Sequence, residues 1–156
     1  KSTLLKAILE KLQENENWNS SIKNKVGYLP QEPVAFLSSF AENIAMSRNY
    51  KSQDIRSAGD ELSLTSDWVE NFDKNAQENK LIVSGGEAQR LALLRNFFND
   101  QKSILILDEP TSALDEYTKK QAAFLIQKSA ERGNFVVLVS HNELEFDQNY
   151  IKRIEI

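Results

Sequence analysis

Two unbroken apolar runs, "ILIL" at 104–107 and "FVVLV" at 135–139, stand on either side of an amphipathic stretch, "SALDEYTKKQAAFLIQKSAERG". That order leaves few folds open. A strand that is apolar at every residue is buried on both faces, as strands in parallel sheets are. Two such strands joined through a helix pair in parallel by a right-handed crossover, so the class is α/β. Gly133, just past the last periodic position, reads as the C-terminal cap of the connecting helix.

The flanking sequence extends the pattern. Leu4, Leu5, Ile8, Leu9 and Leu12 recur at helical spacing, which predicts a helix over residues 3 to about 13. The polar segment "QENENWNSSIKN" interrupts it. "KVGYLPQEP" then reads as a strand, Val26 to Leu29, stopped by Pro30. From Phe40 to about Val83 the chain is polar, helix-permissive and supplied with cap residues such as Ser66 and Asp67, which predicts a small helical insert. "SGGEAQRLALLRNFF" is a helix starting at Ser84, "SILILD" and "NFVVLVS" are buried strands, and "YIKRIEI" alternates like an edge strand.

At 156 residues the chain is one domain's worth of protein. A formal charge of -4 argues against a broad cationic surface for nucleic acid or anionic lipid. The absence of cysteine excludes a disulfide framework and thiolate metal sites. The apolar runs are far shorter than the ~20 residues that span a bilayer.

The chemistry gathers at element ends. Asp108 and Glu109 close an apolar strand at the carboxyl edge of the sheet, where open α/β folds hold ligands. Adjacent strand residues point to opposite sides, so one acid can hold Mg²⁺ through water while the other polarises a water beside a terminal phosphate. The alternative is a strand ending in solvated acids and a Pro turn. Ser84 and Glu87 make a capping box, which needs no ligand. Gly85 and Gly86 in the first turn nevertheless cost roughly 1 kcal/mol each against Ala, which implies a close approach to the backbone. A bare helix start is also an anion site, with phosphate its natural guest. Lys1, Ser2 and Thr3 have the residue types that end G-x-x-x-x-G-K-[ST]. His141 follows "NFVVLVS", and Gln31 lies in the loop after Leu29; taken singly, each reads more readily as a structural or solvated residue than as a functional one.

Taken in order, "KST", "YLPQ", "VSGGEAQR", "LILDEPTSALD" and "SHN" strongly resemble the nucleotide-binding domain of ATP-binding cassette (ABC) ATPases, over nearly the whole chain. The resemblance implies a P-loop NTPase-type parallel sheet flanked by helices. Within it, about 40–83 is a helical subdomain and 84–156 carries the signature helix, Walker B, D-loop and H-loop. It implies that Lys1, Ser2 and Thr3 end the Walker A loop, that Ser84, Gly85 and Gly86 belong to the signature motif, and that Ser112 to Asp115 form the D-loop, with Asp115 on the nucleotide. Glu109 is then the general base, with His141 and Gln31 at the terminal phosphate, and Mg²⁺ falls to Asp108, Ser2 and Gln31. The cofactors so implied are ATP and Mg²⁺. The implied partners are a second cassette, paired head to tail with ATP between Walker and signature motifs, and a membrane domain; no nucleic acid is implied. The implied location is the cytoplasmic face of a membrane.

"VGYLPQEPVAFLSSFAENIAMS" looks more like the cassettes of exporters than those of importers, so the expected function is ATP hydrolysis driving export. A soluble ABC ATPase of the translation or repair type, and an inactive cassette that serves an intact one through its signature face, are the alternatives. Val83 and Glu87 stand where Leu and Gln are commonest in the family, and the segment from Lys1 to Gln31 is short for it. The glycine half of the Walker A loop and the strand that feeds it would lie before Lys1, so residues 1–156 are expected to form a partial domain and, alone, to bind and hydrolyse ATP poorly.

Overall fold

The computed structural model describes residues 2–14, 25–46, 50–98, 103–141 and 143–146. The polar break before Lys25, most of it, and the edge strand expected in "YIKRIEI" lie outside them, as does Lys1. Six helices and three strands are described: α1 (Ser2–Glu14), β1 (Val26–Leu29), α2 (Phe40–Ala45), α3 (Ser52–Glu61), α4 (Ser66–Gln77), α5 (Gly85–Phe97), β2 (Ile104–Asp108), α6 (Glu116–Glu131) and β3 (Phe135–Val139). The strands pair in the order β1-β2-β3, both pairs parallel. Leu29 lies opposite Leu107, and Asp108 opposite Val139, so all three strands end at one edge.

β2 is central and its apolar run is buried on both faces. Leu105 and Leu107 enter the main core, while Ile106 between them points to the other face and is equally buried. α1 packs on β2 with Leu5 buried, α5 packs on β1, and α6 packs on β3. β3 departs from the expected buried strand. Its residues are only partly covered and Phe135 is 67% exposed, because among the described residues it is paired along one side only. The helix after β2 is also shorter than its periodicity suggests. Asp115 caps it by accepting a 2.9 Å hydrogen bond from the Thr118 N–H, which leaves Ser112 to Leu114 as a turn. Its other end follows the expectation. Gly133, at φ +90°, donates to the Ala130 carbonyl while Asn134 donates to that of Ser129, the paired bonds of a Schellman cap.

The helical insert forms as α2, α3 and α4, begun by N-caps at Ser39 and Thr65 for the first and last of these. It does not build a core of its own. Phe40, Ile44, Ile55, Val69 and Phe72 belong to the same buried cluster as Leu29, Leu105 and Leu107. Phe40 meets Trp68 and Phe72 edge-on, with ring centroids 6.1 and 6.4 Å apart.

Asn43 of α2 fastens this insert to the loop after β1. It is fully buried, and its Oδ1 accepts from the Phe36 N–H at 2.8 Å and from Arg95 Nη2 at 2.7 Å. Its Nδ2 lies 2.9 Å from the Phe36 carbonyl and 3.1 Å from that of Ser38. Removing the amide strands several buried polar groups at once, and each unpaired group costs roughly 1–3 kcal/mol. Asn43→Ala is therefore expected to lower the unfolding free energy by about 3 kcal/mol in urea titrations; a loss below about 0.5 kcal/mol, the range of ordinary surface substitutions, would show that the network holds nothing.

Candidate active site

The parallel register brings the ends of β1, β2 and β3 to one edge, and with them the loop carrying Gln31, the pair Asp108 and Glu109, and His141. The two acids are not the solvated end of a strand: Asp108 is 1% exposed and Glu109 4%. Nor does strand alternation set their directions. Glu109 lies just past β2 with φ +51°, in the left-handed region that residues with a Cβ avoid at a cost of roughly 1–2 kcal/mol. Its N–H donates to the Val139 carbonyl at 2.8 Å, which extends the β2–β3 ladder by one bond before the chain turns.

That turn holds the Glu109 carboxylate inside the protein. Oε1 is buried without a hydrogen-bond partner among the described residues and lies 3.7 Å from His141 Nε2, whose ring is largely exposed. A buried carboxylate oxygen without a donor is held at a cost and is free to accept a proton or a hydrogen bond from a guest. Gln31 is exposed beyond Pro30 at the same edge.

The start of α5 is the second group. Ser84 is the N-cap, and both halves of the capping box form: its hydroxyl accepts from the Glu87 N–H at 3.3 Å, and Glu87 Oε2 accepts from the Ser84 N–H at 2.6 Å. Glu87 Oε1 also accepts from the Trp68 indole, which ties α4 to α5. Burial opposes ionisation of Glu87, but the Ser84 and Trp68 donors and the Arg90 charge outweigh it and hold this carboxyl below its ordinary value.

The two glycines here have different reasons. A Cβ on Gly86 would stand 2.7 Å from the Ala113 carbonyl oxygen, so the close approach inferred at this position is made by the chain's own loop after β2. Gly85 meets nothing nearer than the Ala113 methyl at 3.9 Å and is exposed beside Ser84. Ser84 and Gly85 thus present an open helix start, whose first N–H groups have no intrahelical acceptor.

The remaining site residues are less gathered. Ser2 and Thr3 open α1, with Thr3 exposed; Lys1 and the Ser2 side chain lie outside the described residues. Asp115 is exposed, and the Thr118 N–H and hydroxyl that it caps hold its carboxyl below the ordinary value. Sequence reasoning missed two polar residues on α5, one buried and one partly buried. Gln89, 1% exposed, joins α5 to the turn after β2. Arg95 donates to the carbonyls of Asn43 and Val34, both at 2.7 Å, and stacks 4.4 Å over Phe36; burial lowers the pKa of its guanidinium. The detectable signal was a polar residue at the helical spacing of the buried face, three after Gly86 for Gln89 and four after Leu91 for Arg95.

Next to Arg95 lies a groove of about 340 Å³ lined by Tyr28, Pro33, Val34, Phe36 and Met46. Val34, Phe36, Leu37 and Met46 leave large apolar surface uncovered around it. No helix among the described residues is long and apolar enough to cross a membrane.

The chain is similar to known proteins. Residues 1–112 match the ABC transporter family. The chain is 34% identical over 128 residues to the ABC transporter B family member 2 of Dictyostelium discoideum, covering 78% of this chain and 9% of that protein. It is 36% identical over 124 residues to a beta-glucan export ATP-binding/permease protein of Nitrobacter winogradskyi, covering 76% and 20%. It therefore spans only a small part of the length of these relatives. Among solved structures, a dimeric ATP-binding cassette in a post-hydrolysis state, bound to ADP and Pi, superposes with a TM-score of 0.60 at 25% identity, covering 82% of this chain and 57% of that one. Motif order, strand-edge geometry and these matches agree: the chain belongs to the ABC transporter family, and its fold is that of an ATP-binding cassette.

Proposed function

We propose that this domain hydrolyses ATP to drive export across a membrane, with Glu109 as the base. The observation that carries the reading is the buried Glu109 Oε1, unpartnered and 3.7 Å from His141 at the sheet's carboxyl edge. In this reading the terminal phosphate lies beside Glu109, His141 and Gln31, with Lys1, Ser2 and Thr3 on the phosphates. Glu109 takes a proton from water as the water oxygen bonds to the γ-phosphorus and the bond to the ADP oxygen breaks, releasing ADP and phosphate. His141, exposed at the rim, donates to a phosphate oxygen. Asp108, with Ser2 and Gln31, is the group to hold Mg²⁺. One carboxylate ligand, that of the buried Asp108, suits a cation that keeps several waters and takes its other ligands from phosphates. When bound, that ion neutralises charge on the phosphates.

The open start of α5 supports a second cassette as partner. Ser84 and Gly85 are exposed at this helix start and suit the phosphates of a nucleotide held by another copy. Asp115, at the end of the turn after β2, is assigned to the same nucleotide in this reading. The apolar groove around Val34, Phe36 and Met46 supports docking of a membrane domain, with residues 40–83 as the helical subdomain that passes closure to it. In this reading the domain lies on the cytoplasmic face of the membrane. The relatives are named as transporters, and no observation favours a soluble ABC ATPase or an inactive partner.

Two variants of the intact protein test these roles. Glu109→Gln removes a base worth roughly 10²–10⁴-fold. Turnover is expected to fall by at least about 100-fold while ATP still binds and holds the dimer closed, as read by phosphate release and by size-exclusion chromatography in ATP. Ser84→Arg places a long cationic side chain on the open helix start, and ATP-dependent dimerisation is expected to disappear. Wild-type phosphate release by both variants would refute the assignment.

A further inference from the structure

We infer that Gln89 is a positioning residue for Glu109, the tie through which helix α5 sets the backbone of the proposed base. The inference rests on the reading of Glu109 given above. Gln89 lies inside α5, 1% exposed, and each end of its amide meets the turn that follows β2. Nε2 donates to the Glu109 carbonyl at 2.7 Å and lies 3.3 Å from Ser112 Oγ, while Oε1 accepts from the Ala113 N–H at 2.9 Å. One side chain thus spans the turn from its first residue to its fifth.

The turn needs such a tie because Glu109 is strained. At φ +51° a residue with a Cβ persists only where its surroundings over-determine it. The Glu109 carbonyl is held from within the turn by weaker bonds alone, from the Ser112 N–H and hydroxyl, both at 3.2 Å; the 2.7 Å bond from Gln89 is the shortest it makes among those described. Rotating Glu109 back to an ordinary φ would break that bond and swing the carboxylate from its buried place beside His141. Gly86 strengthens the geometry from the same face of α5, three residues earlier, where its missing Cβ lets the Ala113 carbonyl seat against the helix. The helix start that faces the second cassette and the turn that aims the base are therefore fastened at two points, one helical turn apart.

In the intact protein, steady-state ATP turnover is measured for wild type, Gln89→Met, Glu109→Gln and the double variant. Gln89→Met is expected to lower kcat about tenfold or more with the KM for ATP changed less than about twofold, and to have no further effect once Glu109 is Gln. Gln89→Glu, equal in size, keeps the acceptor for Ala113 but not the donor to Glu109, and is expected to behave as Gln89→Met does; it carries the test should the Met variant fail to fold. Amide hydrogen exchange on the wild type needs no variant: the Ala113 N–H is expected to be strongly protected. An unprotected Ala113 amide, a normal kcat in a folded Gln89 variant, or losses that multiply in the double variant would each overturn the inference. A Glu109→Gln variant that hydrolyses at the wild-type rate would instead sink the reading of Glu109 itself.

Discussion

β2 is paired in parallel on both sides, and the arrangement of the site follows from that pairing. Because β1, β2 and β3 run the same way in aligned register, their last residues reach a single edge, and the segments beyond them bring Gln31, Asp108 with Glu109, and His141 together from positions far apart in the chain. An antiparallel neighbour would have sent one of these groups to the opposite edge. The burial of Leu105, Ile106 and Leu107 on both faces makes this register expensive to disturb, since a one-residue slip exchanges the side chains facing each layer.

The second constraint is α5, which serves three neighbours at once. Its N-terminus is capped by Ser84 and Glu87 and linked to α4 through Trp68. Its inner face meets the turn after β2 at Gly86 and Gln89. Its far end, through Arg95, holds the loop of Val34 and Phe36 and the buried Asn43. Displacement of this helix would therefore be felt at the proposed base, at the helical insert and at the exposed apolar groove. A rigid helix with polar anchors at both ends transmits such displacement better than apolar packing alone, because hydrogen bonds fix distance and direction.

The capping box at Ser84 shows how one short motif answers two demands. Sequence reasoning left capping and phosphate binding open; the structure shows the cap, and phosphate binding at the open helix start belongs to the proposed function. Glu87 and Ser84 complete the cap, Gly86 admits the Ala113 carbonyl, and Gly85 stays open beside the Ser84 hydroxyl. The glycine pair thus combines an internal close approach with an outward face.

Elements whose signals are local were legible in the sequence alone. Pro30 ends β1 where a residue without an N–H must, Ser84 starts α5, and Gly133 closes α6 because only nearby backbone geometry is involved. The apolar runs likewise announced parallel strands, and the motif order announced the family. Tertiary structure alone decided the rest. That Glu109 takes a left-handed φ depends on Val139, Ser112 and Gln89, the last 20 positions away. That β3 is half covered depends on which of its sides is paired, and that the buried Gln89 and Asn43 and the partly buried Arg95 are hydrogen-bonding anchors depends on backbone groups brought to them by folding. Periodicity records which face of an element is turned inward; it does not record which donors and acceptors wait there, because those are set by contacts between segments distant in the chain.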